Sequence, residues 1–224
     1  MVGAEVVGVE PSAGMRAEAR RVLPPPAPQA SMPAARDESP AAARREPRTA
    51  APHTSGGRVV GCVGGVAEGL PLRDASVDVA WLSTIVHHIG DLDRAVAELR
   101  RVLRPGGHVL VRGYFAGLPL GRQLRRFPGI ERAAASFPTR TAVVETFRRG
   151  GFGAPALSAV RESWEADVGT VVRRACEMRR VDTLLCRLTD DEFEAGLRAI
   201  SEQASGDSRV TVDGILDFYT FRAP

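Results

Sequence analysis

Lysine is missing from this sequence: the 30 basic side chains among its 224 residues are all arginine. Chemistry that needs a lysine amine, such as Schiff-base catalysis or a phosphate-loop lysine, is thereby excluded. Cysteine is scarce. Cys62, Cys176 and Cys186 are odd in number and lack CxxC spacing, which supports neither a disulfide framework nor a thiolate zinc site and fits a reducing cytoplasm. No apolar run approaches the ~20 residues that cross a bilayer, and the first residues lack the charged lead and apolar stretch of a secretory signal. Aromatics make up 5% of the chain and the formal net charge is only +3. The arginines alternate with acids in stretches such as Asp93 to Arg101, as on a solvated helix face, so neither nucleic acid nor a membrane is an expected partner.

What is present reads as alternating strands and helices. Ala4 to Val9 is a short β-branched run expected to be a buried strand, and it ends on an acid, Glu10. Ser12 is placed to cap a helix that stops at Pro24. From Pro24 to Gly57 lie eight of the sixteen prolines with Ala, Arg and Ser and almost no large apolar residue. Such a stretch buries too little surface to offset its ordering entropy, so residues 24–57 are expected to be a disordered insertion. Strands are expected at Arg58 to Gly65, Val77 to Leu82 and His108 to Phe115, and a helix at about Asp91 to Leu103, stopped by Pro105-Gly106-Gly107. In the second half, helices are expected at Thr139 to Arg149, Asp167 to Val181 and Thr189 to Ala204, with strands within Phe152 to Trp164 and over Arg209 to Phe221. This alternation predicts one α/β domain over residues 1–224, doubly wound and mostly parallel, with an antiparallel C-terminal strand.

The stretches "VVGVEPSAGM", "GGVAEGLPLRDASVDVAWLSTIVHHIGDLDRAVAELRRVLRPGGHVLVRGYF" and "ETFRRGGF" resemble the class I S-adenosylmethionine-dependent methyltransferases, in particular the type 11 methyltransferase domain. The resemblance implies a Rossmann-like fold and S-adenosylmethionine as cofactor. It further implies that Glu10, with Pro11, binds the cofactor ribose and that Met15 packs on the adenosine. Val66, Ala67 and Glu68 would sit by the adenine, and Trp81 to Thr84, with Leu82 and Ser83, would border the methionine end. Residues 116–138 and 165–205 are expected to be cap segments on the substrate side.

Two features depart from the family. The first strand, the GxGxG loop and the helix after it are not in the chain, and the acid common before "AE" is Val66 here. The simplest expectation is a reading frame that starts late. Without the missing strand, the strand ending at Glu10 and the Val77 strand would pair directly, or another segment would fill the gap, or a hole would remain.

For acid-base work the best-placed candidates are His87 and His88, just past a strand tip; the simpler alternative is that one of them packs or orients the substrate. A metal site at His87, His88, Asp91 and Asp93 is not supported by the spacing, and Asp91 or Asp93 has a simpler job as a helix cap. Arg112, Arg122, Arg125 and Arg126 are candidates for an anionic substrate group, with a solvated face as the plainer reading. The leading function is methyl transfer to a small-molecule O, N or C nucleophile. A truncated, catalytically silent methyltransferase-like binding protein is the alternative, and a nicotinamide-dependent Rossmann enzyme is disfavoured by "AEGLP" followed by "LRPGG". Oligomeric state stays open.

Overall fold

The computed structural model describes residues 5–22, 58–203 and 209–224, so the expected insertion at 24–57 lies outside the described residues. The chain divides into two compact units, Met1–Val66 and Ala67–Pro224. In the first, β1 (Glu5–Val9) and β2 (Arg58–Val63) pair in parallel, with Glu5 opposite Arg58 and Val9 opposite Val63. Parallel neighbours cannot be joined by a tight turn, and α1 (Ala13–Val22) supplies the start of the crossover. Ser12 begins that helix as expected, its Oγ accepting the Met15 N–H at 3.3 Å. The expectation of a buried first strand is corrected: Val6 is 45% and Val7 42% exposed. A two-stranded sheet with one short helix has too little apolar mass to enclose its own strands.

The second unit holds a four-stranded sheet in the order β3-β4-β6-β5. Its strands are β3 (Val77–Ser83), β4 (Leu103–Gly113), β5 (Ala156–Asp167) and β6 (Arg209–Arg222). β3 and β4 are parallel, whereas the C-terminal β6 is antiparallel to both β4 and β5. The fold is thus the expected Rossmann-like α/β class with a mixed sheet. Among the described residues β1 pairs with β2, and β3 pairs with β4.

Helices start where short polar side chains cap them. Asp91, Thr139 and Asp167 accept the N–H of the residue three further on, opening α2 (Leu92–Val102), α4 (Arg140–Arg149) and α5 (Val168–Met178). α3 (Ile130–Ala134) and α6 (Asp190–Gln203) complete the set. β4 begins five residues earlier than expected, at Leu103. Gly106 takes φ +75°, and a Cβ on Gly107 would stand 2.9 Å from the carbonyl oxygens of Arg104 and Asp78. The Pro-Gly-Gly segment therefore forms an irregularity inside the strand, where the register with β3 shifts.

One face of this sheet carries the main core. Val109, Val111, Tyr219 and Phe221 meet Val96 and Leu99 of α2 and Val143 and Phe147 of α4, all buried. A second cluster joins the two expected cap segments: Leu120, Phe127, Ile130 and Phe137 from one, Leu184, Leu185, Leu188, Phe193 and Ile200 from the other. The topology explains why they meet. β5 runs the same way as β4, since both oppose β6, so both cap segments leave the sheet at the carboxyl end of its parallel strands, where open α/β sheets bind ligands. Among the described residues no helix is long and apolar enough to cross a membrane.

Candidate active site

In the first unit, Glu10 follows the last residue of β1 and precedes α1. Its Oε1 accepts the Ser12 N–H at 2.8 Å, which fixes the carboxylate beside the positive end of the helix. The other carboxylate oxygen has no partner among the described residues. Arg16 ties this corner together by donating from Nη1 to the carbonyls of Glu10 and Pro11, each at 2.7 Å. Met15 stands 63% exposed, so it is not core filling. Pro11 is exposed, and Val66 is 48% exposed.

In the second unit, Ala67 is partly exposed and Glu68 turns its carboxylate onto the backbone, Oε1 accepting the N–H of Gly90 at 2.9 Å and of Asp91 at 3.3 Å. It thereby holds the loop that enters α2. At the tip of β3, Leu82 is buried in the core and offers only its backbone to a ligand, while Trp81 is 66% exposed. Ser83 Oγ accepts from Arg112 Nη1 at 3.1 Å. The next residue, Thr84, has φ +53° and donates its N–H to the Arg112 carbonyl at 2.7 Å. A β-branched residue in the left-handed region is strained, and such strain gathers where a backbone is held for function. Thr84→Gly is expected to raise the unfolding free energy by about 1 kcal/mol, relief of strain outweighing the greater freedom of glycine in the unfolded chain. Urea unfolding checks this; a loss of stability would show that the threonine side chain contributes more than its backbone costs.

His87 and His88 form a 3-10 turn with Val86, beyond the strand tip. Their ring centroids are 4.2 Å apart, and His87 stacks on Phe137 at 4.3 Å with an 18° interplanar angle. Both Nε2 atoms lie within hydrogen-bond reach of the Thr183 hydroxyl, at 3.4 Å from His87 and 3.3 Å from His88. Burial, followed by the neighbouring His88 and Arg187, pushes the His87 pKa from the ordinary 6.5 to about 4 against the opposing pull of Asp182. The unfolded chain therefore binds this proton first as pH falls: stability is complete above about pH 6.5 and declines toward pH 4. For a half-buried ring the loss is on the order of 1 kcal/mol. Comparing the pH dependence of unfolding in the wild type and His87→Phe checks it, the variant losing that part of the slope.

Among the other sequence candidates, Asp91, Asp93 and Arg122 have structural partners. Asp91 caps α2, and Asp93 pairs with Arg149 Nη2 at 2.8 Å. Arg122 faces Asp213, its backbone N–H donating to Oδ1 at 2.5 Å. Two features escape a sequence reading. Thr183 lies 95 residues from His88 in an irregular loop, and nothing local announces it. Asp217 is fully buried on β6, opposite Gly113, and both its oxygens accept from Arg140 at 2.5 and 2.7 Å. Its signal is an acid among the inward positions of "ILDFYTF", since a charged residue on a buried strand face requires a partner.

Residues 35–111 match the Methyltransferase domain family. A malonyl-acyl-carrier-protein O-methyltransferase of Methylococcus capsulatus is 37% identical over 102 residues, covering 45% of this chain and 37% of that protein. A ubiquinone/menaquinone biosynthesis C-methyltransferase of Acidiphilium cryptum is 51% identical over 41 residues, 18% of this chain and 16% of that protein. The chain thus spans well under half the length of these curated relatives. Among solved structures, a candidate methyltransferase from an antibiotic biosynthesis pathway of Anabaena variabilis aligns over 96% of this chain and 81% of its own, with a TM-score of 0.57 and 18% identity. That alignment establishes a shared fold.

Proposed function

We propose that the chain is a class I S-adenosylmethionine-dependent methyltransferase and that it moves the cofactor's methyl group to a small-molecule O, N or C nucleophile by in-line displacement. The observation that carries this reading is Glu10, an acid at the carboxyl end of a parallel strand, oriented by the Ser12 N–H with its second oxygen unclaimed among the described residues. That oxygen suits a ribose hydroxyl. Exposed Met15 and Val66 offer apolar surface to adenosine, Pro11 shapes the turn, and Ala67 continues the loop toward the adenine side. Val66 replaces an acid, so recognition of the adenine amino group by a side chain there is not expected. Glu68, whose Oε1 holds the loop into α2, sits by the adenine in this reading. In the second unit, Ser83 and the backbone of Leu82 and Thr84 are the groups that the family resemblance assigns to the methionine portion.

When bound, the cofactor supplies an electrophilic methyl on a sulfonium whose leaving group departs neutral. No large charge has to be stabilised, so alignment and exclusion of water are the protein's main tasks. The cap segments 116–138 and 165–205 would close over the acceptor and shape its pocket. A reducing cytoplasm suits such an enzyme.

The reading is tested by incubating the protein with cofactor carrying a tritium-labelled methyl and a panel of phenol, carboxylate, amine and activated-carbon acceptors. Label transfer to one class is expected. Cofactor binding with no transfer to any class would leave a binding protein without catalysis and overturn the proposal.

A further inference from the structure

A threonine hydroxyl carries one proton and two lone pairs. In this structure the Thr183 hydroxyl faces the Nε2 atoms of both His87 and His88, and no other partner for it is present among the described residues. Two bare Nε2 atoms cannot both be satisfied, because a single proton serves one of them. Two protonated Nε2 atoms leave the threonine proton without an acceptor. The arrangement that uses every group has one ring accepting from Thr183 and the other donating to it, so the two rings adopt opposite tautomers.

The surroundings decide which ring takes which form. Thr183 is held in place by Asp182, whose Oδ1 accepts the N–H groups of Leu184 and Leu185, each at 2.9 Å. His87 is half-buried against Phe137, on which it stacks, and His88, with the Arg187 guanidinium 5.9 Å from the Phe137 ring and Asp182 as the nearby acid. Burial and two basic neighbours keep this imidazole neutral. His88 is exposed, the ring of the two that solvent and an acceptor reach, and for its Nδ1 to serve as a base its Nε2 must carry the proton. The ring that must donate to Thr183 in every protonation state is therefore His88, and the ring that accepts is His87.

We infer that Thr183 is a positioning residue that divides the histidine pair: it fixes His87 as a neutral Nδ1–H tautomer and His88 as an Nε2–H donor whose Nδ1 lone pair is the base. This rests on the methyl-transfer reading for its purpose, though not for its geometry. For an acceptor that must lose a proton, His88 Nδ1 takes it and becomes imidazolium, the acceptor keeps the electron pair that attacks the methyl carbon, and His88 returns the proton to water. The Nε2–H bond to Thr183 is unchanged throughout, so the ring does not need to turn between cycles. Thr183 belongs to the cap segment, so the base acquires its working tautomer only where the cap is docked on the turn after β3.

The test is two-bond proton–nitrogen correlation spectroscopy of the full chain labelled at histidine nitrogen, at neutral pH, with the rings assigned through His87→Gln and His88→Gln. Expected are a bare Nε2 on His87 and a protonated Nε2 on His88, retained in Thr183→Ser and lost as a fixed pattern in Thr183→Val. Matching tautomers in the wild type, or the same opposed pattern in a folded Thr183→Val, would overturn the inference. The wild-type and serine spectra decide the matter even where the valine variant fails to fold. Binding of adenosylhomocysteine is measured on the same samples. Binding with the wrong tautomers rejects this inference alone, and the right tautomers without binding reject the methyl-transfer reading alone.

Discussion

Replacing Arg140 with leucine is expected to lower the unfolding free energy by about 3–5 kcal/mol, because it leaves a buried carboxylate without its counter-ion. Asp217 has no exposed surface, and both of its oxygens are held by the one guanidinium. Deprived of Arg140 it has to stay charged in a dry site or take up a proton, and either course costs free energy. The reverse change is milder. The Arg140 side chain is 42% exposed and can turn to water once freed, so Asp217→Asn is expected to cost about 1–3 kcal/mol. Urea unfolding of the two variants measures the asymmetry. A smaller loss in Arg140→Leu than in Asp217→Asn would show that the pair is not the anchor the geometry describes. The pair matters to the site because it pins the first residue of α4 to β6 opposite Gly113, at the rim where β4 feeds the cap.

Phe147→Ala is expected to cost a similar amount, about 3–5 kcal/mol, for a different reason. Phe147 is fully buried between α4 and the sheet, stacked on Phe221 at 4.0 Å and edge-on to Phe152 at 5.3 Å. Alanine would remove those ring contacts and leave a cavity walled by α2 and the sheet, both too regular to collapse into it. Phe147→Leu, closer in volume, should lose markedly less. Denaturant midpoints with an unchanged slope would confirm loss of packing rather than a changed unfolded state. A cost for the alanine variant below about 1 kcal/mol would mean that this core relaxes, contrary to its buried, interlocked aromatic set. Both effects are large against a typical total of about 5–15 kcal/mol, so the two substitutions together should unfold the chain.

Most of the fold was legible because its punctuation is local. Asp91, Thr139 and Asp167 each cap the helix that the periodicity after them implies, and the closing strand announces itself by alternation over Arg209 to Phe221. The stretch from Leu118 to Phe137 was not resolved into a 3-10 turn at Leu124–Arg126 and α3. Its apolar residues, Leu120, Phe127, Ile130 and Phe137, are spaced to meet Leu184, Leu185 and Leu188 from far along the chain, and no local period records such a contact. β1 shows the opposite failure. Its valines read as buried, yet burial depends on what covers a strand, and among the described residues its own unit holds one other strand and a short helix.

The site divides in the same way. Of the residues proposed to act, Glu10 and Met15 in the first unit and the histidine pair in the second are visible in the sequence because each sits next to a strand tip and a helix start. What orients them is visible only in part. The Ser12 N–H on Glu10 is two residues away, but the Thr183 hydroxyl that both histidines share, and the arginine that neutralises Asp217, come from distant segments. The sequence places Glu68 as an adenine neighbour but does not show that its carboxylate also holds Gly90 and Asp91. A short acidic side chain beside unpaired N–H groups at a helix entrance satisfies them first.

The most direct measurement is calorimetric titration of S-adenosylhomocysteine into the folded chain and into Glu10→Ala. Saturable binding is predicted for the wild type, weakened at least about tenfold in the variant by loss of a charge-assisted hydrogen bond. A wild-type chain that melts cooperatively and takes up no ligand would contradict the assignment of Glu10 and, with it, the proposed methyl transfer.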